Sequence, residues 1–201
     1  LLACVLSTPA PVAEATPLEV GGPAVKTGAL ESAALIETSG LAASRRNPGV
    51  LWAHNDSGDS ARVFALAPTG KHLGIYSIEG VVAVDWEDIA IGPGPSKEGS
   101  WIYAGDIGDN FALRSTIVVY RFPEPVVSME QPPVAARVDN VQALRLRYED
   151  GARDAETLMV DSRTGDLYIV TKRESRSRVY RAAADDLKPG RTIELKLTGE
   201  L

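Results

Sequence analysis

Apolar and polar side chains alternate along this chain in short runs of about five to seven residues, the period-two pattern of extended strands. No segment sustains a 3.6-residue apolar period, so the pattern predicts an all-β fold with little helix. The runs fall into three copies of one unit. A first strand follows a small or acidic lead-in at residues 37–43, 85–91 and 154–160. Each ends in a turn closing at Gly49, Gly99 or Gly165, where glycine supplies the conformational freedom of a tight bend. Second strands follow at 50–53, 100–103 and 166–169, and third strands at 62–66, 118–122 and 178–182, each of the latter with Val ahead of an aromatic residue. Fourth strands close the units at 71–78, 141–148 and 192–197.

Four antiparallel strands per unit, repeated, predict the blades of a β-propeller. Gly49 and Gly99 lie 50 residues apart and Gly99 and Gly165 lie 66 apart. The extra length falls mainly in 123–140, where Pro123, Pro125, Pro132 and Pro133 predict a surface insertion without ladder pairing. A propeller takes about four to eight blades, and three are counted here over 31–201. The expected setting is a piece of a six- or seven-bladed ring, or a ring completed by two or more chains. A β-sandwich of look-alike strands is the alternative.

With 201 residues, 44% hydrophobic and 24% charged, the chain is long enough for one domain with its own core. One cysteine excludes a disulfide framework, and no window reaches the ~18 apolar residues of a membrane helix. Lys and Arg number 21 against 27 Asp and Glu, and the resulting charge of -6 argues against a nucleic-acid partner. Residues 1–30 read as the remnant of an export signal or lipoprotein tether plus a linker. Leu1-Leu2-Ala3-Cys4 fits a lipobox with a lipid anchor on Cys4, and Ala13-Glu14-Ala15 fits ordinary signal cleavage. A disordered cytoplasmic N-terminus is the other reading. Export would place the protein in the periplasm, outside the cell or on its surface.

In such a meander the start of the first strand and the loop between the second and third strands share one rim. Asp85, Glu87 and Glu156 stand at strand starts, and Asp56, Asp106 and Asp109 stand in the loops, where Asp-x-Gly-Asp recurs. Carboxylates crowded on one rim raise one another's pKa unless a cation sits among them. Oxygen ligands without His or Cys clusters suit calcium. The same motif is also ordinary turn chemistry, and a directly catalytic carboxylate set is a third possibility. His54 is the one imidazole near this rim, a general acid or base or else a packed structural residue, with Asp88 beside Glu87 as a further proton carrier. Asn55 and Asn110 flank the loop carboxylates as ligand-binding groups. The third copy replaces the acidic loop by Thr171-Lys172-Arg173-Glu174, so Lys172 and Arg173 either bind an anionic group or form a solvated charge run. Recurring aromatics, among them Trp52, Trp101, Tyr168, Phe64, Tyr120 and Tyr180, predict packing between blades. Residues 92–97 lack the spacing of a phosphate loop, and no serine-hydrolase elbow, zinc-protease pair or Cys-x-x-Cys is present.

Residues 52–59, 85–90 and 105–110 give the chain, over about 35–200, a resemblance to exported bacterial β-propeller proteins. More distantly it is similar to calcium-dependent propellers of the gluconolactonase type and to phytase-like propellers. The distant resemblance implies calcium in a central channel and hydrolysis of a lactone or phosphate ester, with Glu87 and Glu156 at the positions most like metal ligands. Two functions follow as expectations. One is an exported propeller that binds a small molecule, protein or carbohydrate over an acidic, calcium-loaded rim. The other is a calcium-assisted hydrolase.

Overall fold

The computed structural model describes Pro23 and residues 25–201. Cys4 and the Ala13-Glu14-Ala15 site therefore lie outside the described residues. Among the described residues thirteen strands run in chain order: β1 (Thr38–Ala43), β2 (Leu51–Asn55), β3 (Arg62–Leu66), β4 (His72–Ser77), β5 (Trp86–Gly92), β6 (Trp101–Asp106), β7 (Ile117–Pro123), β8 (Val134–Arg137), β9 (Gln142–Tyr148), β10 (Ala155–Val160), β11 (Leu167–Thr171), β12 (Arg178–Ala182) and β13 (Thr192–Glu200). A single 3-10 turn, Ala184–Asp186, is the one helical piece among the described residues. None of their helices is long and apolar enough to cross a membrane.

Three antiparallel meanders organise these strands: β1-β2-β3-β4, β5-β6-β7-β9 and β10-β11-β12-β13. The turn glycines take the conformations the bends require, with φ of 81°, 70° and 80° at Gly49, Gly99 and Gly165, where a Cβ would be strained. The first strands β1 and β10 flank β5 on either side. Ser39 Oγ donates to the Glu87 carbonyl at 2.8 Å, and Leu158 N–H donates to Asp88 Oδ2 at 2.8 Å, so β5 is pinned to both neighbours.

Two connections depart from the expected pattern. The proline-rich insertion forms β8, which runs parallel to β4 from Gly74↔Val134 to Ser77↔Arg137. Pro132 and Pro133 precede this strand and take no rung of it, so the missing N–H groups cost no ladder bond. Pro123 ends β7 opposite Trp101, and the next N–H, of Glu124, takes up the pairing by donating to Ser100 O at 2.9 Å. The other departure is β13. Its first half pairs parallel with β9, Thr192↔Arg145 to Leu195↔Tyr148, and its second half pairs antiparallel with β12. The second and third meanders thereby join into one eight-stranded sheet that folds back so that its edge strands β5 and β10 meet.

Apolar side chains fill the spaces between meanders. Trp52, Val63, Leu73, Ile102 and Phe122 pack between the first and second, and Tyr103, Val119, Leu158, Ile169 and Tyr180 pack between the second and third. Burying each such side chain stabilises by roughly 1.5–3 kcal/mol. A smaller cluster of Leu35, Ala53, Phe64 and Leu66 lies on the far face of the first meander. Of the recurring aromatics, Trp52, Phe64 and Tyr180 are fully buried, whereas Trp101, Tyr120 and Tyr168 are half-buried.

Candidate metal centre

The rim formed by the starts of β1, β5 and β10 carries the loops β2–β3 and β6–β7, as chain direction in a meander requires. Asp56 follows β2, Asp85 precedes β5 and Glu87 lies on β5; one carboxylate oxygen from each falls within 4.8 Å of the other two. Asp56 accepts from the Ser57 N–H at 2.6 Å and its own N–H donates to Glu37 O, which fixes the loop. Neither Asp85 nor Glu87 has a hydrogen-bond or ion-pair partner for its carboxylate among the described residues, although Glu87 is only 6% exposed. Burial, followed by the neighbouring carboxylates of Asp85, Asp56 and Asp154, pushes Glu87 up to about 7 despite the opposing influence of Lys172. Burial and the charges of Asp56 and Asp154 raise Asp85 in the same direction.

Gly108 closes this group. A Cβ at that position would stand 2.4 Å from both Asp85 Oδ2 and Glu87 Oε1, so a larger residue would push the two carboxylates from their present places. Its N–H donates to Asp85 O at 3.1 Å and its carbonyl accepts from Arg114 Nη1 at 2.7 Å. Gly58, at the matching place in the first Asp-x-Gly-Asp, has φ 91° and open space around it. One glycine serves a turn and the other a close approach, a difference the repeated letters do not reveal.

The expected ring of six carboxylates assembles only in part, because Asp106, Asp109 and Glu156 are neutralised or built into turns. Asp106, 1% exposed, accepts from the N–H groups of Val84 at 3.0 Å and Asp85 at 3.2 Å and pairs with Arg114 at 2.8 Å. It positions the segment that presents Asp85. Asp109 accepts from Leu113 and Arg114 N–H, and its own N–H donates to Asp154 Oδ1. Glu156 is ion-paired with Lys172. Arg173, held in the left-handed region at φ 68°, bridges Asp154 and Asn110. The basic loop of the third copy thus turns onto its own protein's carboxylates. Of these charges only Asp154 is buried, with 4% of its side chain exposed, and it is the one that demands such pairing.

The groups expected to handle protons are enclosed or committed, and His54 Nε2 is buried without a hydrogen-bond partner among the described residues. His54 has no exposed surface; its Nδ1 lies 2.6 Å from Asn55 O, its ring meets Trp86 edge-on at 5.6 Å, and burial lowers its pKa. Asn55 accepts from the N–H groups of Ile36 and Glu37 and donates to Ala34 O and Asp59, so it ties the 34–37 segment to the β2–β3 loop and does not reach out to a ligand. Asp88 accepts from Ile89 and Leu158 N–H. Replacing Asp88 by Ala leaves both donors unpaired at the β5–β10 junction and is expected to cost about 1–3 kcal/mol in urea unfolding. A loss below about 0.5 kcal/mol would deny that this tie matters.

Reading the sequence alone missed Gly108, Arg114 and Ser39 as the groups that shape the carboxylate cluster. The only signal for Gly108 was its place between two aspartates, shared with Gly58. Comparison of the chain with family models, with curated proteins and with solved structures finds no match.

Proposed function

We propose that the chain is a propeller-type ligand-binding domain whose rim holds a calcium ion between Asp56, Asp85 and Glu87. The propeller reading is supported by the three four-stranded meanders and by the adjacency of their first strands. The calcium reading is carried by one observation: Glu87, a residue only 6% exposed, holds a carboxylate with no hydrogen-bond or ion-pair partner among the described residues, facing those of Asp56 and Asp85 within 4.8 Å beside Gly108. Three carboxylates with no His or Cys beside them make a hard-oxygen donor set suited to calcium's flexible coordination. When bound, calcium supplies a positive centre that draws ligand oxygens to the rim.

Binding is favoured over calcium-assisted hydrolysis of a lactone or phosphate ester. A hydrolase needs a proton carrier beside the cation, and His54 is wholly buried while Asp88 accepts from two backbone N–H groups. Thermal melts with added calcium and with chelator test the reading. At a free concentration 100 times the dissociation constant the fold gains about 2.7 kcal/mol, and the midpoint is expected to rise by roughly 5–10 °C. Identical melts in calcium and chelator would remove the calcium site.

A further inference from the structure

Beside the carboxylate cluster the same rim carries a cleft of about 270 Å³, enclosed by the β6–β7, β9–β10 and β11–β12 loops. Its walls are of two kinds. Phe111, 83% exposed, is the most open of the large apolar side chains among the described residues, and Ala112 and Ala152 extend its apolar wall. Opposite them stand Asn110 and Arg173, the latter with 55% of its side chain exposed.

Every carboxylate in the lining is engaged. Asp109 accepts from the N–H groups of Leu113 and Arg114. Asp154 accepts from Asp109 N–H at 2.8 Å and from Arg173 Nε at 2.5 Å. Glu174 accepts from Arg153 and from Thr171 Oγ1. Among the cations, Arg153 spends its guanidinium on Asp150 and Glu174, and Lys172 pairs with Glu156. Arg173 differs from both. Its Nε and Nη2 turn inward to Asp154 and to Asn110 Oδ1, whereas its Nη1 has no partner among the described residues, and neither has Asn110 Nδ2. The capacity left over in the cleft is therefore that of donors, one of them charged. A buried carboxylate behind the guanidinium fixes its direction, so little freedom remains to be lost when the outer edge takes up a ligand. The loops that bear Ala112 and Arg173 hold these two residues at φ of 51° and 68°, a conformation L-residues adopt only where the surroundings impose it.

We infer that this cleft binds a small organic carboxylate with an aromatic body, its carboxylate on Arg173 and Asn110 and its ring against Phe111 and the two alanines. Open donors call for an acceptor, and a charged donor makes a carboxylate the strong one. A phosphate dianion fits less well, because Asp154 and Asp109 stand behind the guanidinium and repel the second charge. The volume lies just under the roughly 300–1,000 Å³ of most small-molecule pockets, which suits a single ring. Such a ring gains from packing on Phe111. The inference rests on the reading of the rim as a ligand-binding surface, but it uses no group of the cation cluster, so it stands or falls separately from calcium.

An amide-resolved NMR titration of the full chain with benzoate, run in chelator, tests it. Saturable shifts are expected around 110–112, 152–154 and 172–174. Benzamide, of the same shape without the charge, is expected to bind about tenfold more weakly or worse. Phe111→Ala, at an exposed position, is expected to weaken benzoate roughly fivefold with an unchanged thermal melt. Arg173→Lys keeps a cation beside Asp154 but loses the planar edge, and is expected to weaken benzoate about tenfold. No saturable shift with benzoate or with phenylacetate, shifts centred elsewhere, benzamide bound as tightly as benzoate, or wild-type affinity in both variants would each overturn the inference.

Discussion

Glu124→Ala is expected to destabilise the fold by about 3–5 kcal/mol, the loss typical when one partner of a buried, hydrogen-bonded charged network is removed. Glu124 is 1% exposed and stands just past β7, on the side of the molecule away from the carboxylate cluster. It accepts from Trp52 Nε1 at 2.8 Å, Arg46 N–H at 3.2 Å and Asn47 Nδ2 at 3.4 Å, and from the hydroxyls of Ser44 and Ser100. These donors come from the β1–β2 loop, from β2 and from the lead-in to β6. A single carboxylate therefore staples the first meander to the second, and its loss strands four donors at once and leaves Asn47 Nδ2 with the Pro125 carbonyl alone. Glu124→Gln retains the volume but presents an amide N–H₂ to a ring of donors, so it is expected to recover only part of the loss. Urea unfolding measures both. A deficit below about 1 kcal/mol for the alanine variant would mean that water replaces the staple.

Glu87→Gln is expected to act in opposite directions on the two forms of the protein. In chelator it removes one of three crowded carboxylates and stabilises the fold at alkaline pH. With calcium it removes a ligand and weakens binding by about 100-fold or more, since even outer-shell changes at metal sites cost 10- to 100-fold. The pH dependence has a definite sign. Glu87 stands at about 7 in the folded chain against an ordinary value of 4.5, so the folded state holds the proton longer than the unfolded state. Its contribution to stability is present below pH 4.5 and is lost as pH rises through 7. Melts in chelator should thus show the wild type losing ground to Glu87→Gln between pH 5 and pH 8, and no difference at pH 4. Parallel profiles for the two proteins would show that Glu87 does not titrate in this window.

The elements that local pattern determines were legible: alternating strands, glycine turns and the grouping of strands in fours. Pairings set by distant segments were not. The prolines of the insertion suggested an unpaired loop, yet Val134–Arg137 lies beyond them and finds the free edge of β4, whose availability no local window reveals. The two-sided pairing of β13 likewise depends on where β9 ends. At the rim, chain direction alone brought Asp56, Asp85 and Glu87 to one end, but it could not distinguish carboxylates facing one another from carboxylates facing a cation of the same protein. Asp106 meets Arg114 and Glu156 meets Lys172 through loop conformations that spacing does not encode. Glu124 escaped notice because it sits at the end of a strand, among prolines, and acquires its role only when two other loops fold over it.

Equilibrium dialysis against radioactive calcium, run side by side on the wild type, Glu87→Gln and Asp106→Asn, tests the cation centre most directly. One equivalent bound by the wild type, none by Glu87→Gln at the same free calcium, and retained stoichiometry with weakened affinity for Asp106→Asn is the predicted result. Calcium bound equally by the wild type and Glu87→Gln, or by neither, would contradict it.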